Sequence, residues 1–146
     1  MFTNILIALD GSKVSQRALI EAVDQARLMN ARMHAVYVME TVASALNARD
    51  RPIGMDTFEL YSLLEKEGNG VLEEAEKYCA GKGITVIPHF KQGDPGTEII
   101  SLSEQEKCDL IVVASHGKSG FDRLILGSVS SFVVKNNTVT TMVVRG

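Results

Sequence analysis

The chain has 146 residues, 45% of them hydrophobic and 23% charged, with a formal net charge of −3 and a pI of about 5.6. That length suits one domain spanning 1–146 with a real core, and the composition is that of a soluble globular protein. The acidic balance argues against a general nucleic-acid binder, and no apolar run approaches the roughly 18 residues needed to cross a bilayer. Met1-Phe2-Thr3-Asn4 runs straight into a strand without a signal-peptide pattern. Cys79 and Cys108 have no CxxC or metal-like spacing and read as reduced, semi-buried thiols of a cytoplasmic protein.

In chain order, Asn4 to Leu9 is apolar on both faces and predicts a strand buried in a parallel sheet. Asp10-Gly11-Ser12 turns the chain, and Ser12 is a good N-cap for a helix from Lys13 to Met29. Asn30 stops that helix. Met33 to Met39 predicts a second strand. Residues 40–56 lack a clean period and read as a surface segment, a candidate lid over a ligand. Helical spacing returns from Thr57 to Ala80, with Gly68 and Gly70 expected to weaken or kink the helix. Ile84 to Phe90 predicts a third strand, placed at a sheet edge by Pro88. Thr97 to Glu106 predicts a helix, Leu110 to Ala114 a fourth strand, about Ser128 to Asn136 a helix, and Thr138 to Val144 a last strand. Strands alternating with helices predict a parallel open α/β sheet with helices on both faces.

The chain is organised around Asp109 to Ser128. A buried strand, Leu110-Ile111-Val112-Val113-Ala114, passes into Ser115-His116-Gly117-Lys118-Ser119-Gly120. Then Gly127 and Ser128 open a helix that Ser128 or a neighbour caps. Strand, glycine-rich loop and helix start can build an anion pocket from backbone N–H groups. In open parallel sheets ligands bind beyond the carboxyl ends of the strands, where strand order reverses. Only the first and fourth strands end in an acidic turn or a glycine-rich loop. Asp10 therefore either faces that loop, with its carboxylate suited to ribose hydroxyls, or only shapes the turn before the first helix.

Sharper motifs are excluded. A Walker A loop ending at Gly117-Lys118-Ser119 would need glycine where Val112 stands. There is no GxGxxG after the first strand, no HExxH and no GxSxG. Asp10 has no acidic neighbour, as a phosphoacceptor site would require. His34 and His89 receive no role.

The sequence resembles the universal stress protein family over essentially its whole length. Nucleotide-binding members show glycine, two residues, glycine, nine residues, then glycine followed by serine or threonine. Here Gly117, Gly127 and Ser128 match, and Ala114 stands where the first glycine falls. The first strand closing on Ala8-Leu9-Asp10-Gly11-Ser12, the second closing on Tyr37-Val38, and the terminal Met142-Val143-Val144-Arg145 also match. The resemblance implies a Rossmann-like five-stranded sheet ordered 3-2-1-4-5 and an ATP-type ligand, ATP or AMP. It places Ala8, Leu9 and Asp10 along the adenosine and Val38 at the adenine. Ser115, His116 and Gly117 would wrap the phosphates beside Ala114, and Gly127, Ser128 and Val129 would close the site. A divalent ion, Mg or Mn, would be held through the phosphates. The resemblance also implies a homodimer through the last strand, Thr138 to Arg145, where an uncovered apolar edge invites pairing.

Three functions follow. The first is a regulatory nucleotide-binding protein of the stress response. The second is a slow ATPase or nucleotidyl-transfer enzyme, for which only Asp10 or His116 is placed as a general base and no acidic cluster awaits a metal. The third is a ligand-free dimeric scaffold.

Overall fold

The computed structural model describes residues 1–40, 56–117 and 126–146. Their elements run β1 (Asn4–Leu9), α1 (Lys13–Met29), β2 (Arg32–Met39), α2 (Thr57–Gly81), β3 (Val86–Gln92), α3 (Pro95–Gln105), β4 (Leu110–Ala114), α4 (Ser128–Asn136) and β5 (Thr140–Val144). The five strands form one parallel sheet in the order β3-β2-β1-β4-β5. The expected sheet order and the edge position of the Pro88 strand hold. The suggested lid at 40–56 lies outside the described residues except at its margins, Glu40 and Asp56.

Alternation along the central strands divides the core. Ile5, Ile7 and Leu9 pack with Ala22, Val23 and Leu72 from α1 and α2. Leu6, Val36 and Ile111 pack with Ile99, Leu102 and Val133 from α3 and α4. Burial on both faces is why these strands read as continuous apolar runs. Cys79 and Cys108 lie within this core, fully rather than half buried, and burial pushes both thiols up to about 11. Asn30 ends α1 in the left-handed conformation at φ 51°, and the Ser12 hydroxyl accepts from Ser15 N–H.

Three expectations are corrected. β3 starts at Val86, not Ile84, because the Ile84 N–H bonds back to the Cys79 carbonyl and completes the end of α2. α3 starts two residues earlier, at Pro95, because the Asp94 carboxylate accepts from Thr97 N–H and proline suits a first helical turn. α2 runs unbroken through Gly68. A Cβ there would lie 2.5 Å from the Tyr37 ring and 2.6 Å from Phe90. Gly68 is thus the flat spot on which the stacked Tyr37–Phe90 pair rests, with ring centroids 5.8 Å apart.

At the amino end of the sheet the Asp109 carboxylate accepts from Thr3 N–H, Thr3 hydroxyl and Asn4 N–H at 2.9–3.1 Å. Desolvation alone would raise this carboxyl, but those hydrogen bonds outweigh it and hold the group below its ordinary 3.8. These bonds fix β1 beside β4 and so place the strand reversal between them.

Gly68→Ala should lower stability by about 1–3 kcal/mol through overpacking. Gly70→Ala, where a Cβ meets nothing within 4 Å, should raise it by about 0.5–1 kcal/mol. Urea denaturation of both variants checks the opposite signs. Asp109→Ala should be less stable than the parent at pH 7. A carboxyl with a lowered folded pKa stabilises above its unfolded value and loses that contribution as pH falls through the folded one, so the gap should close below pH 3.8. Denaturation midpoints across pH 2–7 test this.

Candidate functional site

The carboxyl ends of β1, β2 and β4 open onto a cavity of about 410 Å³, a volume suited to a small organic ligand. Ten of the eleven residues picked from the sequence line it. Ala8, Leu9 and Asp10 come from the end of β1, Val38 from β2, and Ala114, His116 and Gly117 from the end of β4. Gly127, Ser128 and Val129 come from the start of α4. Ser115 is the exception. It is buried behind the wall and acts through its backbone.

Ser115 is the stem of the loop. Its N–H donates to the Val144 carbonyl at 2.8 Å, which carries the β4–β5 pairing one residue further. Its carbonyl accepts from Gly127 N–H at 2.6 Å and from the Ser130 hydroxyl at 3.0 Å. Its own hydroxyl lies 3.1 Å from His116 Nδ1. The end of β4 and the start of α4 are thereby tied together. Residues 118–125, including Lys118, lie outside the described residues.

Of Ser128 and its neighbours, it is Gly127 that caps α4, with no side-chain hydrogen bond. Side chains cap the other three described helices, through Ser12, Asp56 and Asp94. The first amides of α4 have no acceptor within the helix, and they sit at the cavity wall. The helix dipole adds partial positive charge at the same place.

Two glycines make this geometry possible by lacking a side chain. A Cβ on Gly117 would come 2.6 Å from Asp10 Oδ2. A Cβ on Gly127 would come 3.2 Å from both the Ser115 carbonyl oxygen and His116 Cα, which are backbone atoms. Asp10 both shapes the turn and faces the loop. Oδ1 accepts from Ser12 N–H at 2.8 Å and shapes the turn, while Oδ2 faces Gly117 across the strand reversal.

The rest of the wall was not picked out from the sequence. Val36, Ile99 and Val113 give it an apolar surface, and Glu40 adds a carboxylate at its rim. Ser130 was also missed, since a serine inside a helix carries no signal until its acceptor is known. The cavity therefore joins an apolar slot, a carboxylate at the reversal point and a set of unpaired helix amides. Such a surface suits a flat apolar ring, a hydroxylated linker and an anion. Among the described residues no cluster of three or more His, Cys, Asp or Glu could hold a metal, and no helix is long and apolar enough to cross a membrane.

Comparison with known proteins agrees with this architecture. The model of the universal stress protein family matches residues 1–145. Universal stress protein YxiE of Bacillus subtilis is 33% identical, over 99% of this chain and the whole of its own. The solved structure of MJ0577 superposes with a TM-score of 0.83 at 26% identity, covering all of this chain and 97% of that one. A universal stress protein in complex with cAMP shares the fold at a TM-score of 0.70 and 23% identity, covering 99% of this chain and 97% of that one. A structure from Archaeoglobus fulgidus in complex with dAMP shares it at 0.67 and 17%, covering 98% of each chain. The fold and site define an α/β protein of the open parallel-sheet class with a cavity at its strand reversal. The chain belongs to the universal stress protein family.

Ser130→Ala should lose the one hydroxyl proton shared between the Ser115 and Gly127 carbonyls and cost about 1 kcal/mol. It should also speed hydrogen exchange at the Gly127 amide, measured by NMR alongside urea denaturation.

Proposed function

We propose that this chain is a regulatory adenine-nucleotide-binding domain, with ATP or AMP as its ligand. The observation that carries the reading is the uncapped start of α4, tied through the Ser115 carbonyl to the end of β4 and facing Asp10 across the strand reversal. In this reading the adenine lies along Val36 and Val38, and the Asp10 carboxylate accepts from ribose hydroxyls. The phosphates meet the first amides of α4 and the backbone from His116 to Gly117. Structures of the same fold in complex with cAMP and dAMP support an adenine nucleotide. Any Mg or Mn enters on the phosphates. No catalytic residue is assigned. The protein acts in the cytoplasm as part of a stress response, with occupancy setting its interaction with partners.

A homodimer through the last strand is part of the proposal. β5 is an edge of the sheet, and its Met142, Val143 and Val144 remain partly exposed. A second copy pairing along that edge would cover them.

Protein purified without added nucleotide should release ATP or AMP on denaturation, identified by chromatography and mass. ATP at 100 times its dissociation constant should add about 2.7 kcal/mol of stability and raise the melting temperature accordingly. Gly127→Val, checked by circular dichroism for retained fold, should abolish that rise. Absence of any shift at millimolar ATP would overturn the reading. Sedimentation equilibrium at micromolar concentration should give twice the chain mass.

A further inference from the structure

His34 and His89 belong to no motif in the sequence, yet the fold brings them together. His34 Nδ1 lies 3.0 Å from His89 Nε2, with ring centroids 5.2 Å apart. Parallel pairing explains the meeting. His34 is level with Ile87, and His89 with Val36, so the two rings are diagonal neighbours on one face of β2 and β3. His34 is only 2% exposed, and α3 covers this face.

A hydrogen bond between two ring nitrogens needs one donor and one lone pair. The pair therefore keeps its bond with no added proton or with one. A second proton sets two N–H groups and two positive charges against each other at 3.0 Å. Charged groups around the pair do not offset this. Glu106, at the end of α3, favours protonation, but Arg32 on β2 and Lys91 on β3 oppose it. The buried side chains that α3 contributes, Ile99, Leu102 and Ser103, do not titrate, nor do Leu6 and Ala8 on β1. Burial foremost lowers both imidazoles, and for His89 the neighbouring His34 lowers it further.

We propose that the His34–His89 pair is an acid-sensitive joint between β2 and β3 that opens on taking up its second proton and loosens the ligand pocket. Val36 is the link. It follows His34 by two residues on the same face, is level with His89 across the ladder, and lines the cavity. Any slip between β2 and β3 moves Val36 and Val38, which form the apolar slot. The joint itself stands without the nucleotide reading, and its effect on the pocket rests on that reading.

The sign follows from linkage. Imidazoles with lowered folded values bind fewer protons folded than unfolded once pH drops below 6.5, so acid destabilises the fold. One such proton raises the unfolding equilibrium constant by about tenfold per pH unit until the folded group titrates too. The carboxylate contribution of Asp109 lies lower, below pH 3.8.

The test uses the full chain at pH 7.5, 6.5 and 5.5. Of the three histidine Cε1–H resonances, the two absent from His34→Gln or His89→Gln should titrate in coupled steps below 6.5. Urea denaturation of the parent should lose stability steeply between pH 6.5 and 5.5. The double variant His34→Leu/His89→Leu, which removes both partners together, should be nearly flat there. If it does not fold, His89→Gln serves, since its amide oxygen still accepts from His34. The ATP dissociation constant should rise more between pH 7.5 and 5.5 in the parent than in the variant. Titration of ATP is common to both proteins and cancels in the ratio. Resonances titrating at or above 6.5, or equal acid slopes in parent and variant, would overturn the joint. Unequal slopes with equal changes in ATP affinity would overturn its coupling to the pocket. Failure of the parent to bind ATP at pH 7.5 would remove the nucleotide reading and the coupling with it, while the first two measurements still decide the joint.

Discussion

The hydrogen bonds converging on the Ser115 carbonyl hold the site in one piece. A carbonyl has two lone pairs, and here a backbone amide takes one and a buried hydroxyl the other. Both donors come from the start of α4, so the direction in which β4 ends fixes where α4 begins. The Ser115 N–H, meanwhile, is spent on β5. One residue thus ties the last two strands and the last helix into a single corner. Without that tie the two ends of a long excursion would be free, and the α4 amides would have no fixed direction in which to point.

Close approach is the second constraint, and four of the described glycines meet it in the core and at the site. Gly117 lets the loop pass Asp10, and Gly127 lets α4 start against the backbone of Ser115 and His116. Gly96 admits the Phe132 ring between α3 and α4, and Gly68 seats α2 on Tyr37 and Phe90. None of these four has a positive φ. They answer a demand for space rather than for an unusual backbone, which is why neighbours that are distant in sequence decide them. The two at the site place a carboxylate and a helix terminus close enough to serve one ligand.

Much of this was legible in the chain itself. Short apolar runs such as Leu110 to Ala114 read as strands buried on both faces, and the spacing from Gly117 to Gly127-Ser128 marks the corner. Strand ends were less legible because a partner sets them. β3 continues to Gln92 since Lys91 and Gln92 pair with Val38 and Met39. Gly68 looked like a weak point because helix propensity is local, whereas the rings that need its flatness come from β2 and β3. Val36 and Ile99 carried no signal of a site in the sequence, and they are core that also ends at a cavity. The histidine pair was illegible for the same reason. Fifty-five positions separate its members, and only the register of β2 against β3 aligns them.

The two ends of the sheet are finished in opposite ways, and this polarity makes binding possible. At the amino end the chain turns its polar groups on itself: the Asp109 carboxylate takes three donors from Thr3 and Asn4, and the Asn4 side-chain N–H reaches the Glu106 carbonyl at 2.6 Å, although the buried Asn4 Oδ1 has no partner. At the carboxyl end, strand carbonyls, a helix start without a cap and a carboxylate surround open volume. Pairing every polar group at both ends would give a more stable protein with no site. Closing one end firmly lets the fold tolerate unpaired groups at the other. Between the two ends sits the histidine pair, at the point along β2 where the closed half gives way to the open one.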